Sequence, residues 1–362
     1  MSGSKPHSEI IMEDPLPDIT FLEEPVPLPE QRWPAGTVPL VSIGCITFRH
    51  EKFIREAIEG FLMQKTTFPV EIVIHDDASP DGTADIIREY EEKYPQLIRP
   101  ICQTENQYSQ GKRPSRIMKR FVKGKYIAAC EGDDYWIDPL KLQKQVDFLE
   151  KNPEYGLVHG DAHKYFQKTG AWGRHANKNK INTTEPANKE ELFYGIINFR
   201  YKIRTATVLY RLDLLRNLTA NRKVFPMGDT PMWLELSRLT RFHYIDEPLA
   251  VYRVQRNSLS KSTDKKRYFR FKLAMMEMRV YYCNLFGYDV RPDLKSAYNG
   301  ALLNYFLLDP DYQPEYPLLD PSARVERLWR MAHNPALRPL LKTGMLAMVL
   351  FNRLRRKYGA GD

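Results

Sequence analysis

Two clusters of acidic side chains give the strongest signal for chemistry in this sequence. The first is His75-Asp76-Asp77, the second is Glu131-Gly132-Asp133-Asp134, and each directly follows an apolar run. Carboxylates brought together repel each other unless a cation lies between them, and hard oxygen ligands suit Mg²⁺ or Mn²⁺. Because such an ion commonly bridges protein carboxylates and substrate phosphates, the two clusters together predict a metal-bound diphosphate. Either cluster alone is equally typical of a polar turn.

The elements that would position these clusters alternate between strands and helices. The predicted strands are apolar and β-branched and lie at residues 39–48, 71–77, 98–102 and 125–130. The predicted helices lie between and after them, at residues 51–64, 84–94, 114–122 and 138–150. This alternation predicts an α/β fold with a doubly wound, mostly parallel sheet, in which ligands bind beyond the carboxyl ends of the strands.

The pattern changes after residue 160. Residues 161–190 are polar and irregular, with a strand near Tyr165. Further strands are predicted at residues 205–210, 243–246 and 249–254, and a helix at residues 230–239. The chain then becomes helical, which predicts a helical C-terminal region. We therefore divide the chain into residues 1–36, 37–160, 161–262 and 263–362, the first being an acidic, proline-rich extended arm.

Charge and cysteine content bound the class of protein. The 362 residues carry a net charge of +9 although residues 1–36 hold seven acidic and two basic residues. Such a basic excess attracts polyanions, namely nucleic acid, anionic lipid or phosphorylated substrates. The four cysteines form no CxxC pair, and no run approaches the ~20 apolar residues of a membrane span. With no secretory signal pattern either, we expect a soluble, cytoplasmic protein.

Three sequence blocks in order closely resemble the family 2 glycosyltransferases. The family commonly opens with VSVIIPTYN, and this sequence has VSIGCITFRH at residues 41–50. The family's VDDGSxDGT corresponds to IHDDASPDGT at residues 74–83, and its LDADDxW to CEGDDYW at residues 130–136. The resemblance implies a GT-A fold, with a nucleotide-sugar-binding half at residues 37–160 and an acceptor-side half at residues 161–262.

The resemblance also implies site residues for the nucleotide and the metal. Thr47 and Phe48 would line the base pocket, with Phe48 where the family often has a Tyr that stacks on uracil. Asp77 would accept a hydrogen bond from the base. Asp133 and Asp134 would serve the ribose and a Mg²⁺ or Mn²⁺ cofactor. Because a carboxylate accepts from an imide N–H, Asp77 favours a UDP- or dTDP-type donor.

The catalytic base and the diphosphate ligands are implied in the same way. The family base is typically an Asp that opens a helix, and the segment FPMGDTPMW makes Asp229 the candidate. The alternative for Asp229 is a helix N-cap, since Thr-Pro follows it. The segment VYRVQRNSLS resembles the family's YRxHxxSxS, with Gln255 at the place of the His. As bidentate donors, Arg253 and Arg256 are candidates for the diphosphate, as is Arg113, and the alternative for all three is a solvated basic surface.

The C-terminal segment at residues 336–358 predicts an apolar helix that ends in a basic cluster. Its side chains would either pack on the domain or make peripheral contact with an anionic membrane. The basic residues of this cluster are Arg353, Arg355, Arg356 and Lys357.

We therefore expect an inverting, metal-assisted glycosyltransferase of polysaccharide or glycan biosynthesis, with a nucleotide-sugar donor and a glycan or lipid-linked acceptor. The alternative is a non-catalytic nucleotide-sugar- or glycan-binding protein on the same fold, which Gly228 and Gln255 favour because both depart from the family motifs. A nucleic-acid binder is disfavoured, since no recognised module is present. Phosphate-loop kinases, serine hydrolases, zincins and nicotinamide enzymes lack their motifs here.

Overall fold

The computed structural model describes residues 21–176, 186–218, 223–255 and 262–339. They form two compact units. Unit 1 comprises the described residues of 1–160, 204–213 and 247–251, and unit 2 comprises those of 161–203, 214–246 and 252–362. The predicted helix at residues 336–358 lies outside the described residues except for its first turn, and the predicted extended arm is described only from residue 21.

In chain order, the strands are β1 (Val26–Pro27), β2 (Val41–Thr47), β3 (Lys65–Thr66), β4 (Val70–Asp76), β5 (Ile98–Cys102), β6 (Tyr126–Glu131), β7 (Tyr135–Trp136), β8 (Tyr155–Phe166), β9 (Ala171–Gly173), β10 (Leu209–Arg211) and β11 (Arg241–Val254). The α-helices are α1 (Ile54–Leu62), α2 (Thr83–Lys93), α3 (Pro114–Met118), α4 (Lys141–Lys151), α5 (Lys189–Ile197), α6 (Asp229–Leu239), α7 (Lys265–Phe286), α8 (Pro292–Phe306) and α9 (Ala323–His333).

A parallel sheet in the order β5–β4–β2–β6 forms the centre of unit 1. Strand β2 lies between its two partners, and its alternate residues Val41, Ile43 and Cys45 are fully buried. Because the chain moves outward from β2 through β4 to β5 and then returns to β6, the order of the strands reverses between β2 and β6. Strand β10 then pairs antiparallel with β6 and with the first part of β8.

Most of the predicted elements are confirmed, and the differences have local causes. The predicted helix at 114–122 ends already at Met118, and residues 205–207 form a 3₁₀ turn before β10. The two strands predicted at 243–246 and 249–254 are one strand, β11. Strand β11 contains Pro248, which has no N–H group. On the side that faces β7 this costs no hydrogen bond, because β7 pairs only with Ala250 and Val251.

Unit 2 is mainly helical, as expected for residues beyond 263. Helix α7 begins at an N-cap, Asp264, whose carboxylate accepts from the N–H groups of Lys266 and Arg267. It ends at Gly287 in the left-handed conformation, with φ of 69°. Over residues 21–339, apart from the gaps given above, no helix combines the length and the apolar content needed to cross a membrane.

Lys141 is an unexpected member of the core of unit 1. Its side chain is fully buried, its Nζ donates to Gln145 Oε1 at 2.9 Å, and it lies 4.1 Å from the centroid of the Trp136 ring. Trp136 is held in turn by its Nε1, which donates to the carbonyl of Ala206 at 2.7 Å. Burial lowers the pKa of Lys141 to about 7, because the ammonium has lost its hydration.

Replacing Lys141 with Met tests this packing. The pKa falls from 10.5 in the unfolded chain to about 7 in the folded protein, so between these values the unfolded chain binds more protons. Wild-type stability therefore rises with pH across this window and is lost as pH falls toward the lower value. We expect Lys141→Met to be the more stable protein near pH 7, with its advantage shrinking toward about pH 10 in urea unfolding.

A matched control is Lys151→Met, which removes the exposed lysine at the other end of α4. This variant should follow the wild-type pH dependence. If the difference in stability between Lys141→Met and wild type did not change with pH, this would contradict a lowered pKa of the buried Lys141.

Candidate active site

The carboxyl ends of β2, β4 and β6 meet at one edge of the unit 1 sheet. Beyond β4, the N–H of Asp77 donates to the carbonyl of Thr47 at 3.0 Å. Beyond β6, the N–H of Gly132 donates to the carbonyl of Ile46, also at 3.0 Å. The backbone therefore brings together the predicted residues at this edge, which are Thr47, Phe48, Asp77, Asp133 and Asp134.

Gly132 allows the β6 segment to approach β2 this closely. A Cβ atom at this position would lie 2.7 Å from Thr47 Oγ1 and 3.0 Å from His50 Nδ1. Both of these polar atoms are buried, and neither has a hydrogen-bond partner among the described residues. Buried polar atoms without a partner are costly, so they indicate a place where a bound group completes the hydrogen bonding.

His50 is a site residue that the sequence prediction missed. Its Nε2 lies 3.9 Å from Asp133 Oδ1. Burial lowers the pKa of His50, and the carboxylates of Asp133, Asp81 and Asp76 only partly oppose this. The imidazole therefore favours the neutral form. The one signal in the sequence is its place at the end of the VSIGCITFRH block.

The donor set at this edge fits a hard divalent cation that is shared with a substrate. Asp134 is buried, while the side chain of Asp133 is 24% exposed. Within the described residues, no three His, Cys, Asp or Glu side chains are arranged to hold a metal by themselves. Mg²⁺ is usually bound through one or two carboxylates together with substrate phosphates rather than in an all-protein cage, so the Asp pair suits it.

Asp77 has a structural task besides its predicted contact with the base. Its two carboxylate oxygens accept from the N–H groups of Gln107 and Tyr108 at 2.8 and 3.0 Å. Its carbonyl accepts from the side chain of Asn106 at 3.0 Å. Asp77 thus anchors the loop that precedes Arg113 and α3. Each carboxylate oxygen retains a second lone pair, so a base contact is compatible with this task.

Phe48 presents an aromatic ring to solvent at the same edge. It is 37% exposed, and the guanidinium of Arg49 lies 5.2 Å from its ring centroid. Arg49 adopts a left-handed conformation with φ of 59°, which is unfavourable for a residue with a Cβ. A hydrogen bond of 2.9 Å between Arg49 N and Ser79 Oγ supports it. Local strain of this kind is concentrated at functional sites.

The remaining predicted residues belong to unit 2 or lie outside the description. Asp229 is the first residue of α6 and is half-buried, and its Oδ1 accepts from Thr230 N at 2.7 Å. An N-cap side chain would accept from the second or third helical N–H instead, so Asp229 makes no capping bond. Arg253 is buried, and its Nη1 donates to Gln167 Oε1 at 3.4 Å. Arg256 lies outside the described residues.

Comparison with known proteins shows a similarity to one family over slightly less than half of the chain. Residues 42–212 match the model described as glycosyl transferase family 2. This part of the chain is therefore similar to that family. The matched residues include the whole edge described above, from Thr47 to Asp134.

Two curated relatives each match about a third of the chain. An uncharacterized protein of Mycobacterium tuberculosis is 49% identical over 114 residues, which is 32% of this chain and 32% of that protein. WfaP of Escherichia coli, a UDP-Glc:α-D-GlcNAc-diphosphoundecaprenol β-1,3-glucosyltransferase, is 36% identical over 112 residues, or 31% of this chain and 41% of that enzyme. The chain therefore matches about a third of the first relative's length and two fifths of the second's.

A solved structure shares the fold over most of the chain. The mannosyltransferase PcManGT of Pyrobaculum calidifontis, determined with GDP-Man and Mn²⁺, is 16% identical and covers 92% of both chains with a TM-score of 0.50. This likeness agrees with the GT-A-type fold implied by the sequence blocks.

Substituting Gly132 with Ala tests the close approach between β6 and β2. The added Cβ forces Thr47 and His50 to move, which should destabilise the protein by about 1–3 kcal/mol. The same movement should weaken the binding of UDP with Mn²⁺, because it displaces the adjacent Asp133. Urea unfolding and calorimetry measure the two effects separately.

Gly300→Ala is the matched control, since a Cβ there meets nothing within 4 Å. Gly300 lies within α8, so alanine should stabilise that helix by roughly 0.5–1 kcal/mol. If Gly132→Ala behaved like Gly300→Ala in both measurements, the packing at this edge would not be tight.

Proposed function

We propose that this protein is a glycosyltransferase that moves a sugar from a nucleotide-diphosphate sugar to an acceptor hydroxyl with inversion at the anomeric carbon. The observation that carries the proposal is the edge where Gly132, Asp133 and Asp134 meet the end of β2, at the point where the strand order reverses. Ligands of open α/β sheets bind at such a point. The family match and the WfaP relative support the same activity.

The donor diphosphate would be held at the Asp pair. Asp134, with Asp133, holds Mg²⁺ or Mn²⁺, and when bound this ion supplies charge stabilisation for the departing diphosphate. The buried Thr47 Oγ1 and His50 Nδ1 lie beside Gly132 and offer polar contacts to the bound donor. Arg113, Arg253 and Arg256 are the candidates for further diphosphate contacts, as bidentate donors.

The base of the nucleotide would lie against Phe48. The exposed ring offers a stacking surface, and Asp77 and Thr47 flank it at the ends of β4 and β2. We propose a uridine or deoxythymidine diphosphate donor, because an imide N–H can donate to the remaining lone pairs of Asp77. That WfaP uses UDP-Glc supports this choice.

The acceptor would be activated by Asp229. In a direct displacement, the acceptor oxygen attacks the anomeric carbon opposite the diphosphate, so the new bond forms as the old one breaks and the configuration inverts. The proton of the acceptor hydroxyl passes to the Asp229 carboxylate as the diphosphate departs. Its half-exposed position at the start of α6, without a capping bond, leaves this carboxylate available for such a role.

The acceptor itself is proposed as a glycan or a lipid-linked saccharide. A cytoplasmic protein with peripheral contact to an anionic membrane through residues 336–358 fits a lipid-linked acceptor.

The second candidate function is non-catalytic binding of nucleotide sugars or glycans. Gln255, at the place of a family histidine, and Gly228, at the place of a family glutamate, favour it.

Asp134→Asn tests the metal and donor assignment. Wild type should hydrolyse or transfer from UDP- or dTDP-sugars only with Mg²⁺ or Mn²⁺, and we expect this variant to lose activity by orders of magnitude with its fold intact. The control is Asp147→Asn, an exposed carboxylate on α4. Full turnover by Asp134→Asn, or by wild type in excess chelator, would contradict the assignment. Preference for GDP- or CMP-sugars would contradict the choice of base.

Asp229→Asn tests the catalytic base. A base acts on the acceptor, so kcat should fall by orders of magnitude while the affinity for the nucleotide stays nearly constant. The control is Asp311→Asn, which removes another exposed carboxylate of unit 2. Normal turnover by Asp229→Asn would contradict this role. If neither wild type nor the variant transfers sugar, the non-catalytic alternative is favoured.

A further inference from the structure

The hairpin formed by β8 and β9 in unit 2 carries a pair of aromatic rings, of which Trp172 is exposed and Tyr165 is half-buried. Tyr165 and Trp172 lie directly opposite each other in the register of the two strands. Their ring centroids are 4.9 Å apart, at an interplanar angle of 53°. Trp172 is 51% exposed, so a large aromatic face is open to solvent at this hairpin.

This aromatic pair is held in place from within unit 2. The guanidinium of Arg253 lies 5.9 Å from the Tyr165 ring centroid, and Arg253 is buried. The same guanidinium donates to Gln167 in the turn that joins the two strands. Because β8 and the turn are anchored and β9 pairs with β8, the hairpin positions Trp172 before a ligand binds, which reduces the entropy lost on binding.

A polar group of three side chains lies nearer the base of the hairpin. Asp161 and His163 precede Tyr165 at intervals of two residues on β8, so they share its side of the strand. Asp161 Oδ2 lies 3.4 Å from His175 Nδ1, and His163 Nδ1 accepts from the His175 N–H at 3.2 Å. The rings of His163 and His175 are 5.1 Å apart. The hairpin face, meaning Asp161, His163, Tyr165, Trp172, Arg174 and His175, therefore combines an apolar platform with hydrogen-bonding groups.

The charge of this hairpin is positive. Residues 162–176 contain Lys164, Lys168 and Arg174 and no acidic residue. The one carboxylate of the hairpin face, Asp161, is fully buried against His175. Burial lowers the pKa of His163, and the charges of His175 and Arg174 lower it further, while Asp161 opposes them. Lys164 lies on the opposite side of β8, and Lys168 lies in the turn. A ligand that approaches the hairpin face therefore meets Arg174 and aromatic rings rather than exposed carboxylates.

We propose that the hairpin face binds an acidic oligosaccharide, of which a carboxylate group pairs with the exposed Arg174. The C–H groups on one face of a pyranose ring carry partial positive charge, and they pack on the negative face of an aromatic ring such as Trp172. The hydroxyl groups of the sugar hydrogen-bond to His163 and His175. The inference rests on the proposed function, because the bound saccharide would be the acceptor of the transfer.

Calorimetry with tetragalacturonic acid tests the inference without nucleotide or metal. Wild type should bind it in a saturable manner, and Trp172→Ala and Arg174→Glu should each weaken the affinity by about tenfold or more. Phe121→Ala and Arg330→Glu are the matched controls, since they change an exposed aromatic ring and an exposed cation elsewhere. Circular dichroism confirms that all four variants are folded. A change in tryptophan fluorescence on binding that is absent from Trp172→Ala gives a second readout.

Equal affinity of wild type, Trp172→Ala and Arg174→Glu would overturn the inference, as would equal binding of a neutral tetrasaccharide such as maltotetraose. Binding to phosphatidylglycerol vesicles that depends on Trp172 while tetragalacturonic acid fails to bind would assign the hairpin to a membrane instead, and so would overturn it. Because the assay requires no donor, its failure is separate from that of the proposed transfer. Loss of glycosyl transfer in Asp134→Asn leaves hairpin binding unchanged.

Discussion

The parallel pairing of β2 with both β4 and β6 is the constraint on which the candidate site depends. Strand β2 supplies hydrogen bonds to both neighbours over almost its whole length, so all three strands end at the same level. The first N–H of each following segment then bonds back to the end of β2, from Asp77 to Thr47 and from Gly132 to Ile46. Because the three parallel strands end together, the two acidic clusters that follow β4 and β6 lie at one edge of the sheet.

Several features of this edge each lower the stability of the folded protein. The carboxylates of Asp133 and Asp134 are adjacent, Arg49 is left-handed, and Thr47 and His50 bury polar atoms that have no partner in the described part of the chain. Each of these costs free energy, and the well-packed sheet compensates for them. A bound cation with a diphosphate would relieve the repulsion between the carboxylates. The same features therefore account both for the local cost in stability and for affinity toward a charged ligand.

Much of this architecture was predictable from the sequence because the relevant signals are local. The apolar runs of β2, β4 and β6 and the acidic residues that follow them predict the edge without any long-range information. By contrast, β8 was predicted only near Tyr165, since Gly156 and Gly160 interrupt its apolar pattern. Lys141 resembles a surface lysine in sequence, and its burial depends on Trp136 and Gln145. The hydrogen bonds of Asp77 to Gln107 and Tyr108 likewise depend on a loop 30 residues away.

The site is tested most directly by diffraction at the manganese absorption edge from crystals grown with UDP and Mn²⁺. We expect an anomalous peak in contact with a carboxylate oxygen of Asp133 or Asp134 and with the diphosphate, with the uracil ring stacked on Phe48. Manganese or nucleotide bound away from this edge of the sheet would contradict the proposed site.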